Sequence, residues 1–387
     1  MENKHALPVL FLVLFFVMIG FGIIIPILPF YAEQLGATPE QLGLLMASYS
    51  VMQFLFSPLW GRLSERIGRK PVLILGIGGL SLSFFIMAEA TELWMLFAAR
   101  ILGGLLSSAN MPATMAYVAD ITPPENRGKG MGMMGAAVGL GFIFGPAVGG
   151  SFSKFSLSLP FTIAGISSLL TLLLVIFLLK ESLPKGSRPS TGIKEGSRWK
   201  ALAGPDALMF LIQGLVSLAL AGLETTFALF SAVKAGLDSV RLGYIFMMMG
   251  VTGAIVQGGL LGTLTKRFGE LKVISFGLLV SAFGFGLLLL TRDFWTAALF
   301  ITFFGLGNGV IRPAVNAYMT KRTTAGHGHV TGLLSSFDSL GRILGPPLGG
   351  WLFAFHIYLP YISGALLSIV AFILVRRYRA KIFLQQQ

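Results

Sequence analysis

Long apolar runs separated by short polar breaks occupy almost the whole chain, near 7–31, 40–60, 71–88, 94–118, 131–152, 157–179, 207–232, 240–261, 271–291, 294–318, 330–354 and 358–375. An α-helix needs roughly 17–25 such residues to cross a bilayer. The strands of a membrane barrel alternate in polarity and last only about ten residues. The pattern therefore predicts an all-α polytopic membrane protein of twelve transmembrane helices. The first run, Ala6 to Tyr31, is longer than a signal-peptide core and has no small-residue cleavage site, so it reads as a retained span.

Composition agrees, with 55% hydrophobic and 12% charged residues and a mean hydropathy of +0.80. Soluble domains carry about twice that charge. Cysteine is absent, which excludes disulfides and thiolate metal sites. The net charge of +13 could signal nucleic-acid binding, but the basic residues fall on one set of loops. With the amino terminus cytoplasmic, that side collects Lys4, the 62–70 cluster, Arg127, Lys129, the 180–200 segment, Lys266, Arg267, Lys272, Lys321, Arg322 and 376–381. The other side keeps Lys154, Lys234, Arg241 and Arg292. The positive-inside rule then places both termini in the cytoplasm, with the bilayer as partner and no nucleic acid.

One long polar stretch, 179–205, lies between the sixth and seventh spans and is rich in Gly, Ser, Pro and charge. It reads as a linker at 181–205 between an amino-terminal bundle, 1–180, and a carboxy-terminal bundle, 206–387. The sequence repeats across it at an offset of about two hundred residues. Gly61, Leu63, Arg66 and Gly68 recur as Gly262, Leu264, Arg267 and Gly269; "MPATMAY" (111–117) recurs as "RPAVNAY" (312–318); "GPAVGG" (145–150) recurs as "GPPLGG" (345–350). Three matches in one order and phase indicate two homologous halves of six spans, the plan of many secondary transporters.

Four stretches carry a family resemblance: "GFGIIIPILPFY" (20–31), "GRLSERIGRK" (61–70), "RILGG" (100–104) and "GLGFIFGPAVGG" (139–150). Through them the whole chain resembles the major facilitator superfamily, and within it the twelve-span drug:proton antiporters of the NorA and Bmr type. The resemblance implies a major facilitator fold of two pseudo-symmetric six-helix bundles working by alternating access. It also implies export of amphiphilic drugs, cationic or zwitterionic, driven by the proton gradient without a cofactor, by a monomer. A carrier of the same fold with a narrow physiological substrate, such as a sugar, amino-acid derivative or lipid, is the alternative.

The resemblance also assigns roles. Residues 61–70 would form a tight turn acting as a cytoplasmic gate, comprising Gly61, Glu65, Arg66, Gly68, Arg69 and Lys70 with Asp120. Glu65 stands where the family carries Asp and would lean on the start of the eleventh helix, while Arg69 or Arg66 would pair with Asp120. In the second copy Lys266 replaces Glu65 and Glu270 replaces Arg69, so only the first latch is expected to be intact. The fifth span carries the antiporter glycine motif, Gly141, Gly145, Pro146, Gly149 and Gly150, preceded by Gly135 and Gly139. Overlapping small-xxx-small pairs of this kind let helices pack backbone to backbone. Gly341, Gly345 and Gly349 repeat it in the eleventh span.

Ionisable groups at membrane depth cost about 2.5–3.5 kcal/mol each on insertion scales, so they are functional candidates by default. Five fall inside the spans: Arg100, Glu224, Arg312, Asp338 and Arg342. Glu224 has no charged neighbour on its own helix near it and is the first choice of proton carrier. Asp338 and Arg342 are four apart and share a helix face, and Arg312 lies at similar depth, so Asp338 is expected to pair with Arg312 or Arg342. Arg100 resembles the fourth-helix arginine that the family associates with proton transfer, a structural partner role being the alternative, and Arg312 and Arg342 join the proton-coupling set. Candidate substrate-binding residues are Met18, Phe21, Phe142, Gln213, Phe227, Met248, Phe303 and Asn308, chosen because 33 Phe and 16 Met suit a broad apolar cavity. A lone carboxylate, Glu224, in such a cavity would favour cationic or zwitterionic amphiphiles.

Other classes fit poorly. No G-x-x-x-x-G-K-[ST] phosphate loop occurs. The histidines, His5, His327, His329 and His356, sit at loops or ends and form no nucleophile–base or metal set, so no enzyme is expected. A passive channel would need a ring of equivalent pore-lining charges, which the two halves lack.

Overall fold

The structure is a computed structural model that describes residues 6–183, 207–322 and 327–385. The amino-terminal Lys4 and most of the expected linker fall outside the described residues. Twelve long helices follow in order: α1 Ala6–Gln34, α2 Pro39–Ile67, α3 Arg69–Ala88, α4 Leu93–Ile121, α5 Arg127–Ser153, α6 Leu159–Leu178, α7 Ala207–Ala235, α8 Ser239–Phe268, α9 Glu270–Leu288, α10 Phe294–Arg322, α11 His327–Phe355 and α12 Leu359–Gln385. Among the described residues, eleven helices are long and apolar enough to cross a membrane. The exception, α11, carries Asp338, Arg342 and several Ser and Gly residues along its middle.

Two helices depart from regular α-geometry for visible reasons. A turn at Ser108–Ala109 interrupts α4, just before Pro112, which has no N–H to give the carbonyl four residues back. Residues Val256–Leu260 of α8, around the pair Gly258–Gly259, form a π-turn.

The chain forms two compact units. One comprises residues 1–37, 48–194 and 239–247, and the other 38–47, 195–238 and 248–387. In the first, α1 packs along α5 and α3 along α6 and α4. In the second, α7 packs along α11, and α9 along α10 and α12. The same scheme thus recurs at the sequence repeat.

Glycine makes the two closest pairs possible. A methyl group on Gly145 would sit 2.6 Å from the Ile19 carbonyl oxygen and 2.7 Å from Gly22 Cα; one on Gly141 would sit 2.5 Å from Met18 Cβ. In the second unit a methyl group on Gly341 would lie 2.6 Å from the Gly214 carbonyl oxygen, and one on Gly349 3.0 Å from Gly222 Cα. Both seams are backbone against backbone, which is how helices gain dispersion contact where lipid offers no hydrophobic contrast. The α5 seam is shorter than its glycine count suggests. Gly135 and Gly139 face open space, while Gly150 turns to Gly243 and the Ser239–Val240 backbone, which belong to the same unit.

The 61–70 segment corrects the expected tight turn. Helix α2 continues to Ile67, α3 starts at Arg69, and the break is Gly68 alone, at φ 110°. Only glycine enters that region without strain. Gly61 lies inside α2, and a methyl group there would be 4.0 Å from the nearest atom, so it does not serve close approach. Gly269 repeats the break at φ 81° between α8 and α9.

Candidate functional site

Three helices of the second unit bring four charges together. Arg312 on α10 places Nη2 2.6 Å from Asp338 Oδ1 on α11. One turn along α11, Arg342 places Nε 3.5 Å from Asp338 Oδ2 and Nη1 3.8 Å from Glu224 Oε2 on α7. Both expected partners of Asp338 are therefore present, and Arg342 stands between the two carboxylates. The Ser217 hydroxyl donates to Asp338 Oδ1, and Gln213 Nε2 lies 3.4 Å from the same oxygen.

Glu224 is consequently not the lone carboxylate that sequence suggested, since its partner comes from another helix. Two guanidinium groups balance two carboxylates, which is how a membrane interior tolerates them. Ser217 was missed, although Gln213, Ser217 and Glu224 stand at spacings of four and seven, a polar stripe along one face of α7.

The first unit has a different buried charge. Arg100 on α4 is 4% exposed, with its guanidinium carbon 4.6 Å from the Tyr49 ring centroid. The Tyr49 hydroxyl lies 2.6 Å from Ser107 Oγ, and the Phe21 ring stands edge-on to Tyr49 with centroids 4.8 Å apart. A cation over an aromatic face gains up to about 2 kcal/mol when desolvated.

A third cluster surrounds Gly68. Arg69, one of the two arginines proposed for Asp120, pairs with it, Nε lying 3.1 Å from Oδ2, while its Nη1 donates to Ser64 Oγ at 2.6 Å. Ser64 in turn donates to the Gly61 carbonyl. Glu181, just beyond α6, accepts from the Arg69 backbone N–H at 2.8 Å and the Lys70 backbone N–H at 3.1 Å. It thereby satisfies two of the N–H groups a helix start leaves open and sits at the positive end of the α3 dipole. Lys70 Nζ donates to the Ile176 carbonyl, and Ser182 to Asp120. Sequence reading placed Glu181 in the linker, because no pattern at residue 181 tells of a helix start 112 positions earlier. The contact expected of Glu65 with the start of α11 involves side chains outside the described residues.

The second copy was expected to have lost its latch, yet Glu270 at the start of α9 pairs with Lys321 near the end of α10. Both residues stand 201 positions after Arg69 and Asp120, with the signs exchanged.

The proposed substrate-binding residues scatter. Gln213 joins the charge network and Phe21 joins Tyr49. Met18 packs on Gly141, Phe227 is fully buried and Asn308 nearly so. Phe303 meets Phe283, which is 62% exposed on α9, edge to face with centroids 5.8 Å apart. Met248 is exposed and Phe142 half-buried. Among the described residues no group of three or more His, Cys, Asp or Glu could hold a metal ion.

Known proteins place this arrangement. The chain is 33% identical over 375 residues to Multidrug resistance protein 2 of Bacillus subtilis, covering 95% of this chain and 94% of that protein. It is 31% identical over 389 residues to the quinolone resistance protein NorA of Staphylococcus aureus, covering 98% of each. Among solved structures, a peptide transporter POT in complex with sulfate superposes with a TM-score of 0.82 at 14% identity, covering 98% of this chain and 95% of that one. The human organic anion transporter MFSD10 superposes at 0.70 with 24% identity, covering 97% and 100%. These two likenesses establish the fold. The family model of the Major Facilitator Superfamily matches residues 10–269 and 258–382. With that match over nearly its whole length, the chain belongs to the Major Facilitator Superfamily, and is a multi-pass membrane transporter rather than an enzyme.

Proposed function

We propose that this protein exports amphiphilic drugs in exchange for protons, working as a monomer with both termini in the cytoplasm of a bacterial-type plasma membrane. The observation that carries this reading is the Glu224–Arg342–Asp338–Arg312 network. A carboxylate held by one shared guanidinium can take up a proton and release its partner to the other acid, so protonation has a second arrangement of the same side chains to select. The names of the relatives, multidrug resistance and quinolone resistance, support drugs as the cargo.

Glu224 is the proton carrier in this reading, Asp338 the group that holds both arginines, and residues 1–180 and 206–387 the two bodies that rock. One proton crossing 100 mV supplies about 2.3 kcal/mol, and each unit of pH difference about 1.4 more. No bound cofactor is needed.

The test is proton flux in proteoliposomes holding a trapped pH-sensitive dye. Under an imposed pH gradient, norfloxacin or ethidium should trigger proton movement in the wild type and none in Glu224→Gln. Flux that survives in the variant would move the proton to Asp338. An inert wild type would favour a narrow-substrate carrier.

A further inference from the structure

The start of α9 and the ends of α10 and α12 come together in the second unit. Glu270 pairs with Lys321 across the first two, and the Tyr318 and Tyr378 hydroxyls lie 3.1 Å apart across the last two. Along α12, Ala371 and Val375 are fully buried and Tyr378 half-buried, which marks the face turned to the bundle. Arg376, Arg377, Arg379 and Lys381 follow at once and are all exposed. Helical spacing makes these four flank or oppose the buried face.

The first unit closes the equivalent ends differently. Leu159, Pro160 and Val175 of α6 recur two hundred positions later as Leu359, Pro360 and Val375 of α12. In that register Ile176, Phe177 and Leu179 become Arg376, Arg377 and Arg379, and Glu181 becomes Lys381. Glu181 caps α3 and Asp120 holds Arg69, so the first unit answers its basic groups there with its own acids. At the second unit's three ends Glu270 is the one carboxylate among the described residues, and Lys321 takes it. Lys272 and Arg322 add to the basic side.

Depth selects the kind of anion. From Leu359 to Val375 is about 25 Å of helix, most of a hydrocarbon core roughly 30 Å thick, so the arginines begin where lipid headgroups begin. Tyrosines at that level suit the same boundary. A guanidinium fork binds phosphate oxygens through paired hydrogen bonds. In a zwitterionic lipid the phosphate already has its own ammonium, so an anionic lipid gains more from this surface.

We propose that the ends of α9, α10 and α12 form a docking site for the headgroup of an anionic phospholipid, held chiefly by Arg376, Arg377 and Arg379. Membrane orientation alone would be served by basic residues anywhere on this side of the chain. Here they occupy one helix end, where the repeat has apolar residues and an acid. Assignment to the cytoplasmic leaflet rests on the orientation proposed above; the chemistry of the site does not.

Native mass spectrometry of the full-length protein in neutral detergent tests this, with phosphatidylglycerol, phosphatidylcholine and glycerol phosphate as probes. The wild type should hold phosphatidylglycerol about tenfold more tightly than phosphatidylcholine, equivalent to about 1.4 kcal/mol. Glycerol phosphate, which has no acyl chains, should bind weakly. Changing Arg376, Arg377 and Arg379 together to Gln should remove the preference, and changing them to Lys should keep part of it. A control with Arg127, Lys129 and Lys180 changed to Gln, which removes three exposed charges from the first unit, should retain it. If the triple Gln variant fails to fold, each single Gln variant should show a smaller part of the loss.

Equal retention of the two lipids by the wild type overturns the proposal. So does an equal loss in the first-unit control, which would mean diffuse attraction. Glycerol phosphate binding as tightly as phosphatidylglycerol overturns it as well, since the ligand would then be a soluble anion. Detergent micelles have no sides, so failure here is separate from failure of the proposed orientation.

Discussion

Glu270 and Lys321 form an ion pair between the start of α9 and the end of α10, at the two positions that answer to Arg69 and Asp120 with the signs exchanged. A pair whose polarity can invert between repeats is selected for attraction, since the identity of either member alone has changed. The second repeat thus keeps the tie that its altered motif had concealed.

That equivalence makes charge reversal the direct probe. Glu270→Lys and Lys321→Glu should each lower transport several-fold by setting like charges together, and the double variant should recover most of it. Uptake of dye by everted vesicles at matched protein levels checks this. Failure of the double variant to exceed either single one would show that the pair is incidental. Exposed pairs contribute only about 0.2–1 kcal/mol, so the readout is transport rather than stability.

Glu181 should matter to the 61–70 region although it lies far from it in sequence. Glu181→Ala leaves two N–H groups at the start of α3 without their carboxylate, a loss of about 1–3 kcal/mol if they find no other acceptor. Thermal unfolding followed by size-exclusion fluorescence should move to lower temperature, and Glu181→Gln should lie between. Gly68→Ala should do at least as much damage, because its φ of 110° is strained for any side chain and the added methyl would strike the Glu181 carboxylate.

The glycines of α5 should divide sharply. Gly145→Val forces α1 and α5 apart and is expected to abolish folded protein, and Gly345→Val should do the same to α7 and α11. Gly135→Ala and Gly139→Ala enter open space and should be tolerated, with a small gain in helix propensity. Yield of monodisperse protein from detergent extracts separates the two groups.

Arg100 sits over the Tyr49 ring face, with its guanidinium carbon 4.6 Å from the centroid, and the face is expected to matter more than the hydroxyl. Tyr49→Phe keeps the face under the guanidinium and loses the Ser107 contact, so most transport should survive. Tyr49→Leu removes the face and should reduce transport at least as severely as Arg100→Gln. Equal loss in Phe and Leu variants would assign the role to the hydroxyl instead.

The sequence by itself determined the number and approximate limits of the helices, the duplication and the five membrane charges. Each of these is carried by local composition or by a fixed offset along one strand of text. Apolar runs set span length because the bilayer has a fixed thickness, and Asp338 and Arg342 declare a common face because helical spacing is rigid. Tertiary structure alone decided that Arg342 meets Glu224 as well as Asp338, that Glu181 caps α3, and that Lys321 pairs with Glu270. Those contacts join helices far apart in the chain, and which side chains meet depends on how the helices pack and rotate against one another. The same reason explains why Phe227 and Phe303 could not be placed beforehand: in a chain this rich in phenylalanine, only the direction each helix faces distinguishes a buried ring from one turned outward.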